Sequence, residues 1–388
     1  MINSSYIIIV KAVSGCNFRC AYCSQGANKT SNLMDFAIYE KLLQFLKELF
    51  EREERSHCSI IFHGGEPLLY KPEFYQRAID QTKTILAGIS EPSFMMQTNG
   101  SLINDTWIQF FKDFNVSVGV SFDVLEDVHN TNRPNANGHP SYQIVLSKIK
   151  KMQENGLQPS ILGVMHEGLI GREQEIITFL ENTDISVRLN PLFECGSAAT
   201  KGLATACIEG AYGTSLIKLA RQWISAEKTL NIQPLNGFLT ALLSQTSTPE
   251  CSFNGSCGQS VMAISPDGSL YPCGRWADIG QIGCYGNIQT VNYDQYQSHP
   301  FRAKLVARAR QNTIKACSHC PDYSLCRGGC SASAYGRHHK LDAPTAQCKD
   351  YQTFFKYLKT EGIEQFKTGL LAYRKTLQEE IHTLEDST

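Results

Sequence analysis

Three cysteines, Cys16, Cys20 and Cys23, stand at C-x3-C-x2-C spacing directly after the first apolar run of the chain. Three thiolates cannot close a tetrahedral four-ligand site. If they hold three corners of a [4Fe–4S] cube, the fourth iron keeps an open position for a substrate or cofactor, as a catalytic zinc does. A structural zinc would need a fourth ligand close by, and the next candidate, His57, stands far along the chain. Three unrelated buried thiols are the other competing reading. A second system follows in the C-terminal half: Cys251, Cys257, Cys273, Cys317, Cys320, Cys326, Cys330 and Cys348. Eight thiolates are two sets of four, the arithmetic of two fully ligated [4Fe–4S] clusters. Two tetrathiolate zinc sites would use the same number. The expectation is three [4Fe–4S] clusters, one open and two closed. Cys58, Cys195, Cys207 and Cys284 fall outside both systems and read as structural or spare thiols.

These residues need a scaffold, and 388 residues suffice for an α/β core with a smaller second domain. Lys plus Arg number 36 and Asp plus Glu 37, so no basic field points to nucleic acid. The apolar run at residues 6–10 is too short for a secretory signal or a membrane span. Clustered C-x2-C spacings without a signal sequence favour metal over disulfides and a cytoplasmic location. Apolar, β-branched runs predict strands at residues 6–13, 58–62, 93–97, 116–122, 159–165 and 185–189. Between the first two, Ile38, Leu42, Phe45, Leu46, Leu49 and Phe50 form one helical stripe. Pro72 opens the next helix, and others are expected near residues 105–114, 142–155 and 214–228. Six βα repeats in a row argue a parallel sheet whose chemistry sits in loops at the C-terminal strand ends. Whether the sheet closes does not follow from the pattern.

The loops carry further candidates. His63-Gly64-Gly65-Glu66-Pro67 follows the second strand; paired glycines let backbone approach a ligand, and Glu66 offers a carboxylate to a cation. Gln97-Thr98-Asn99-Gly100 and Ser121-Phe122-Asp123 end the third and fourth strands. Arg133, ten residues past Asp123, reads as a carboxylate partner or, more simply, as a solvated loop arginine. His129 and His139 beside it are assigned no role. Residues 191–212, rich in Gly, Ala and Thr, read as an irregular stretch, either a functional loop or a linker. Residues 261–264 and 270–272 flank Asp267-Gly268 as a short hairpin. A helical tail at residues 350–384 sets Phe366, Leu370, Tyr373, Leu377, Ile381 and Leu384 on one face, for packing or for a partner segment. The first strand begins the chain, so no separate peptide-recognition domain is expected ahead of it.

With Tyr22 before its third cysteine, the C-x3-C-x2-C motif resembles the signature of the radical S-adenosylmethionine (SAM) enzymes. That resemblance makes Cys16, Cys20 and Cys23 the catalytic cysteines and implies SAM at the open iron. It implies that Gly64, Gly65, Glu66 and Pro67 recognise its amino group. Tyr22, Asn99, Ser121, Asp123 and Arg133 would complete the cofactor side. The pattern Cys257-x10-Gly268-x4-Cys273, then C-x2-C-x5-C-x3-C, then Cys348, resembles the SPASM extension of that family, with Cys251 as an eighth cysteine. By that resemblance Cys251, Cys257, Cys273 and Cys330 hold one auxiliary cluster, and Cys317, Cys320, Cys326 and Cys348 the other. The implied fold class is α/β: a partial (β/α)6 TIM-type barrel over residues 1–228, a SPASM domain over 229–350 and a helical tail over 351–388.

The chemistry so implied is one-electron cleavage of SAM and hydrogen abstraction by a 5′-deoxyadenosyl radical, with an auxiliary cluster accepting an electron in a net oxidation. Two groups of SPASM enzymes resemble this chain. Anaerobic sulfatase-maturating enzymes share its length and eight auxiliary cysteines, and convert a Cys or Ser of another enzyme to formylglycine. Their pattern places an Asp, as base, directly after the third cysteine of the first auxiliary site. Here Gly274 stands there, in Tyr271-Pro272-Cys273-Gly274-Arg275-Trp276. Phe62-His63-Gly64-Gly65-Glu66-Pro67-Leu68-Leu69 and Cys273-Gly274-Arg275 look more like maturases of ribosomally made peptides, particularly those forming three-residue cyclophanes. The implied partners are a precursor peptide and a flavodoxin- or ferredoxin-type reductant, with no nucleic acid and no membrane. Thioether formation and formylglycine formation are the alternative reactions; an iron–sulfur electron carrier is the non-enzymatic one.

Overall fold

In strand β1 (Ser5–Val13), Tyr6, Ile8, Val10 and Ala12 are fully buried on one side, while Ile7 and Ile9 opposite them are half-buried. This two-residue alternation repeats across the sheet in the computed structural model, which describes residues 5–26, 31–203, 209–226, 228, 230–244, 248, 250–310 and 313–368. Strands β2 (His57–Gly64), β3 (Glu91–Thr98), β4 (Val116–Ser121), β5 (Ser160–Met165) and β6 (Val187–Pro191) follow β1 in consecutive spatial order, each parallel to the last. Helices α1 (Phe36–Glu53), α2 (Pro72–Ile85), α3 (Asp105–Asp113), α4 (Glu126–Asn132), α5 (Tyr142–Glu154) and α6 (Glu173–Thr183) fill the crossovers. Right-handed crossovers combined with an unreversed strand order keep these helices on one face of the sheet. In α1 the apolar stripe read from the sequence is the buried one, and Asp35 caps its first turn by accepting from Ala37 N.

The opposite face is left as a lumen. The register sets Lys11 beside His63, Gln97 beside Gly119, and Val164 beside Asn190, all on that face. Closure, which the sequence leaves open, does not occur among the described residues. Beyond β6 lies β7 (Ile232–Gln233), and beyond β1 lies β8 (Val261–Ile264), also parallel. Strand β8 turns back antiparallel into β9 (Ser269–Tyr271), the expected hairpin, and β10 (Gly286–Asn287) ends the sheet. The segment with the auxiliary cysteines thus continues the first-half sheet, and Tyr6 bonds Tyr296 through their buried hydroxyls at 2.6 Å.

Two stretches differ from the reading of the sequence. Residues 191–212 contain a short helix, α7 (Gly196–Thr200), whose Ser197 N donates to Cys23 O at 2.9 Å. A Cβ on Gly196 would meet that carbonyl at 2.4 Å, so the glycine permits the close approach. The helix expected at 214–228 is α8 (Ala211–Ile224), starting after Gly210 at φ +86°. In the tail, Phe355 packs on Phe238 at 4.9 Å and Phe366 on Trp223 at 5.2 Å, so this part of the tail's apolar face is docked. Leu370, Tyr373, Leu377, Ile381 and Leu384 lie outside the described residues. No described helix is long and apolar enough to cross a membrane.

Candidate active site

The loop after β1 is held from several sides. Arg19 N and Ala21 N donate to Pro134 O and Asn132 O at 2.9 and 2.8 Å. Gly65 N donates to Val13 O at 2.7 Å and Glu66 N to Gly15 O at 2.8 Å. Cys16, Cys20 and Cys23 are half-buried in this loop. Burial pushes the Cys20 thiol up to about 12, and Cys23 and Cys16 nearby add to the rise. A Cβ on Gly65 would lie 1.9 Å from Gly15 O, and one on Gly64 (φ +138°) 2.1 Å from Val13 O. The paired glycines therefore seat one loop backbone on another. Gly65→Ala is expected to cost more than the ~1–3 kcal/mol usual for overpacking, because the clash is with backbone. Iron incorporation into the first site should fail, read as lost iron with the sheet signal in circular dichroism kept.

Glu66 is fully buried. Its Oε1 accepts from Leu68 N at 3.0 Å and Thr98 Oγ1 at 2.6 Å, and Oε2 accepts from Asn99 N at 2.7 Å. It caps the turn Pro67–Leu69 and ties the β2 loop to the β3 loop, which makes it a positioning residue. Asn99 Nδ2, so placed, donates to Asn17 Oδ1 at 2.8 Å and lies 3.8 Å from Cys16 Sγ. On the lumen side Ser121 Oγ accepts from Gln97 Nε2 at 3.1 Å.

Arg133 corrects the expectation of a solvated loop arginine: it is 6% exposed. Its Nε and Nη2 donate to Asp123 Oδ2 and Oδ1 at 3.0 and 3.3 Å, and its guanidinium stands 5.1 Å from the Tyr22 ring centre. The Tyr22 hydroxyl also donates to Asp123, as does Val164 N at 3.2 Å. Burial pushes the Asp123 carboxyl up, but the charge and hydrogen bonds of Arg133 outweigh it and hold the group below its ordinary value. Asp123 N donates to His129 Nδ1 at 3.2 Å, which leaves the ring proton on Nε2, 3.0 Å from Ser141 Oγ. Burial first, then Arg133, lowers His129 to about 3, so it is a neutral structural histidine.

The auxiliary cysteines separate into two sets. Cys251, Cys257, Cys273 and Cys330 act electrostatically on one another, and Arg275 Nη1 donates to Cys330 Sγ at 3.3 Å. Burial pushes the Cys330 thiol up, but Arg275 more than offsets it. Cys317, Cys320, Cys326 and Cys348 line a single cavity with Tyr323, Tyr351 and Phe355. The fold thus carries Cys330 back to the earlier cysteines, a crossing that spacing alone does not determine. Arg308 lies between the sets, its charge acting on Cys257 and Cys330 and on Cys317 and Cys326. No disulfide joins any of the described cysteines; Cys207 lies outside the described residues.

Residues 10–180 match the Radical SAM superfamily. The chain contains a radical SAM domain. Over nearly its whole length it is similar to sulfatase-maturating enzymes. The cysteine-type anaerobic enzyme of Clostridium novyi is 26% identical over 380 residues, covering 95% of this chain and 98% of that one. The serine-type enzyme of Klebsiella pneumoniae is 24% identical over 389 residues, covering 97% and 93%. Among solved structures, native anSMEcpe with bound AdoMet aligns with a TM-score of 0.80 at 22% identity, covering 93% of this chain and 98% of that one. Streptococcus suis SuiB bound to precursor peptide SuiA aligns at 0.61 and 15% identity, covering 89% and 76%. At these identities the structural likeness speaks for the fold.

The donor sets fit iron–sulfur clusters. Burial first, with neighbouring thiols adding, raises Cys257 to about 12 and Cys348 to about 11, while Cys330 is lowered beside Arg275. Such sets bind a cationic group with release of the thiol protons. The sequence analysis did not single out three polar residues beside the radical SAM domain's cysteine loop. Lys11 and Asp278 form an ion pair, each under 10% exposed, and Ser24 Oγ donates to Asp278 Oδ2 at 2.6 Å. Lys11 was the available signal, a lone charge within an apolar strand that burial permits only when paired. Asp278 also lines a cleft of about 420 Å³ with Cys195, Gly196, Tyr335 and Arg337.

Proposed function

We propose that this chain is a radical SAM peptide maturase that oxidises a peptide side chain at its β-carbon and forms a cross-link, a C–C cyclophane bond to an aromatic residue. One observation carries the reading: the wall of a single cleft is built from segments that lead to both cysteine systems. Its wall includes α9 (Gly274–Ile279), which begins directly after Cys273, and Asp278 of that helix bonds to Ser24, the neighbour of Cys23. A substrate in the cleft therefore reaches the first cluster's loop and the auxiliary set together. The remaining wall is α7 and α10 (Ser331–His338), and the cleft is roomy enough for a peptide segment.

In this reading Cys16, Cys20 and Cys23 hold the SAM-binding cluster. The sets of Cys251 with Cys257, Cys273 and Cys330, and of Cys317 with Cys320, Cys326 and Cys348, hold two auxiliary clusters. SAM and the clusters supply, when bound, a 5′-deoxyadenosyl radical and a one-electron acceptor. Gly64, Gly65 and Pro67 present backbone toward the SAM side, Glu66 fixes that backbone, and Asn99 and Ser121 offer polar groups. Tyr22, Asp123 and Arg133 brace the cysteine loop. The domains would run over residues 1–228, 229–350 and 351–388, with a flavodoxin- or ferredoxin-type protein as reductant.

The relatives named for sulfatase maturation favour formylglycine formation as a second reading. Against it, Gly274 cannot accept a proton where that group's pattern places its base. Mass spectrometry after incubation with a sulfatase-derived peptide and with a short synthetic peptide carrying an aromatic-containing C-terminal motif separates the two. The expected result is loss of two hydrogens in the second peptide, with a new bond at a β-carbon and no carbonyl. Formylglycine in the sulfatase peptide, with the other unchanged, would overturn the choice. Loss located at a cysteine sulfur would replace cyclophane with thioether.

A further inference from the structure

Removing two hydrogens from a side chain removes one hydrogen atom, one electron and one proton. The C–H bond breaks homolytically, with its hydrogen leaving to the 5′-deoxyadenosyl acceptor. A second bond, aromatic C–H, O–H or S–H, gives up its proton as the new C–C, C–S or C=X bond forms. The electron leaves to an acceptor of the iron–sulfur class. The proton needs a base, and Gly274 supplies none. We infer that Asp278, held by Lys11 and Ser24 on the wall of the cleft, is the acceptor of this proton. The inference rests on the oxidative peptide reading above and adds the residue that completes it.

Helix geometry explains the placement. Gly274 and Asp278 stand four residues apart on α9, hence on one face. A Cβ on Gly274 would sit 3.5 Å from Ile9 Cγ2 and 3.8 Å from Lys11 Cε, so that face looks into the lumen end of β1. One turn further on, Asp278 reaches the Lys11 ammonium and the Ser24 hydroxyl. The carboxylate that Gly274 lacks is thereby present on the same face, one residue from the Cys23 loop and open to the cleft. Lys11 donates to one oxygen of this carboxylate and Ser24 to the other, which fixes its orientation at the cleft wall. The other titratable groups around the pair include His63 opposite Lys11, Cys195 and Arg275, with Glu194, its ion-pair partner Arg337, and His339 further along the cleft. Burial, then Lys11, lowers His63 to about 4, so it is neutral and does not compete as a cation.

A latch joining β1 to α9 would use the same ion pair, so the test needs readouts that a latch does not move. With the short synthetic aromatic-containing peptide as probe, Asp278→Asn should lower cross-linked product per 5′-deoxyadenosine by ~100-fold or more, the usual weight of a general base. Peptide affinity, measured by fluorescence anisotropy with SAM and no reductant, should stay within about twofold. The pH profile of product yield should differ between the wild type and Asp278→Asn, and Asp278→Glu should restore part of the yield. Unchanged product yield and pH profile in Asp278→Asn would overturn the inference while leaving the peptide reading intact. If Asp278→Asn fails to take up iron, the paired Lys11→Met/Asp278→Leu variant removes both charges together, which folds tolerate better. Wild-type product yield there would overturn the inference, and loss of product with iron retained would support it. A wild-type enzyme that cleaves SAM but leaves the peptide at its original mass removes the peptide reading, and this inference with it.

Discussion

Replacing Cys16, Cys20 and Cys23 together by Ala is expected to abolish SAM cleavage and to lower bound iron from about twelve to about eight per chain, the arithmetic of one four-iron cluster lost out of the proposed three. The expectation that the other eight remain comes from where the core lies. Tyr6, Ile8, Val10 and Ala12 of β1 are fully buried in a core that extends through α1 and β2, and β8 pairs with β1 through residues Ile7–Val10. The loop can therefore lose its metal while the sheet edge that carries the auxiliary segment stays in register. Anaerobic reconstitution, iron analysis and detection of 5′-deoxyadenosine read the outcome. 5′-Deoxyadenosine above background would show that the catalytic cluster lies elsewhere. About four irons in the wild type, or stoichiometric zinc, would defeat the count. Loss of all iron in the variant would show that the Ser24–Asp278 contact couples the two halves.

Much of this arrangement is legible in the chain because it depends on short-range pattern. The period-2 burial of β1 and the period of α1 stand in the sequence, and the Asp267-Gly268 turn marks the β8–β9 hairpin. The cysteine spacings mark the sites because ligand spacing is local. What is not legible depends on which way a buried polar side chain faces. Glu66 looks from sequence like an exposed carboxylate beside glycines. It turns inward because Leu68 N, Thr98 Oγ1 and Asn99 N need an acceptor there. Arg133 lies in a polar loop with no periodicity to mark it, and its burial follows from Asp123 on another element. Asp278 is fixed by Lys11, 267 positions away in the chain, a distance at which no motif or period operates.

Asp123→Ala should be the most destabilising single substitution around the first site. The side chain is fully buried and accepts from Tyr22, Arg133 and Val164. Its removal strands the Arg133 guanidinium, and breaking a buried pair by deleting one partner costs about 3–5 kcal/mol. The damage reaches the cysteines, because residues 132–134 at the end of α4 hold Arg19 N and Ala21 N. The pH dependence has a definite sign. Asp123 is held below the ordinary aspartate value, so its contribution is fully present above that value and is lost as the pH falls through the lower native one. Asp123→Ala should lack that acid-side loss, and denaturant unfolding of both proteins across the acid range measures it. A cost under ~1 kcal/mol would contradict the buried-pair account. The double variant Asp123→Asn/Arg133→Met then separates bracing from cofactor contact. Removing both charges should recover most of the stability. If SAM affinity recovers with it, Arg133 acts by holding the loop; if affinity stays lost in a protein that folds and binds iron, the guanidinium touches SAM itself.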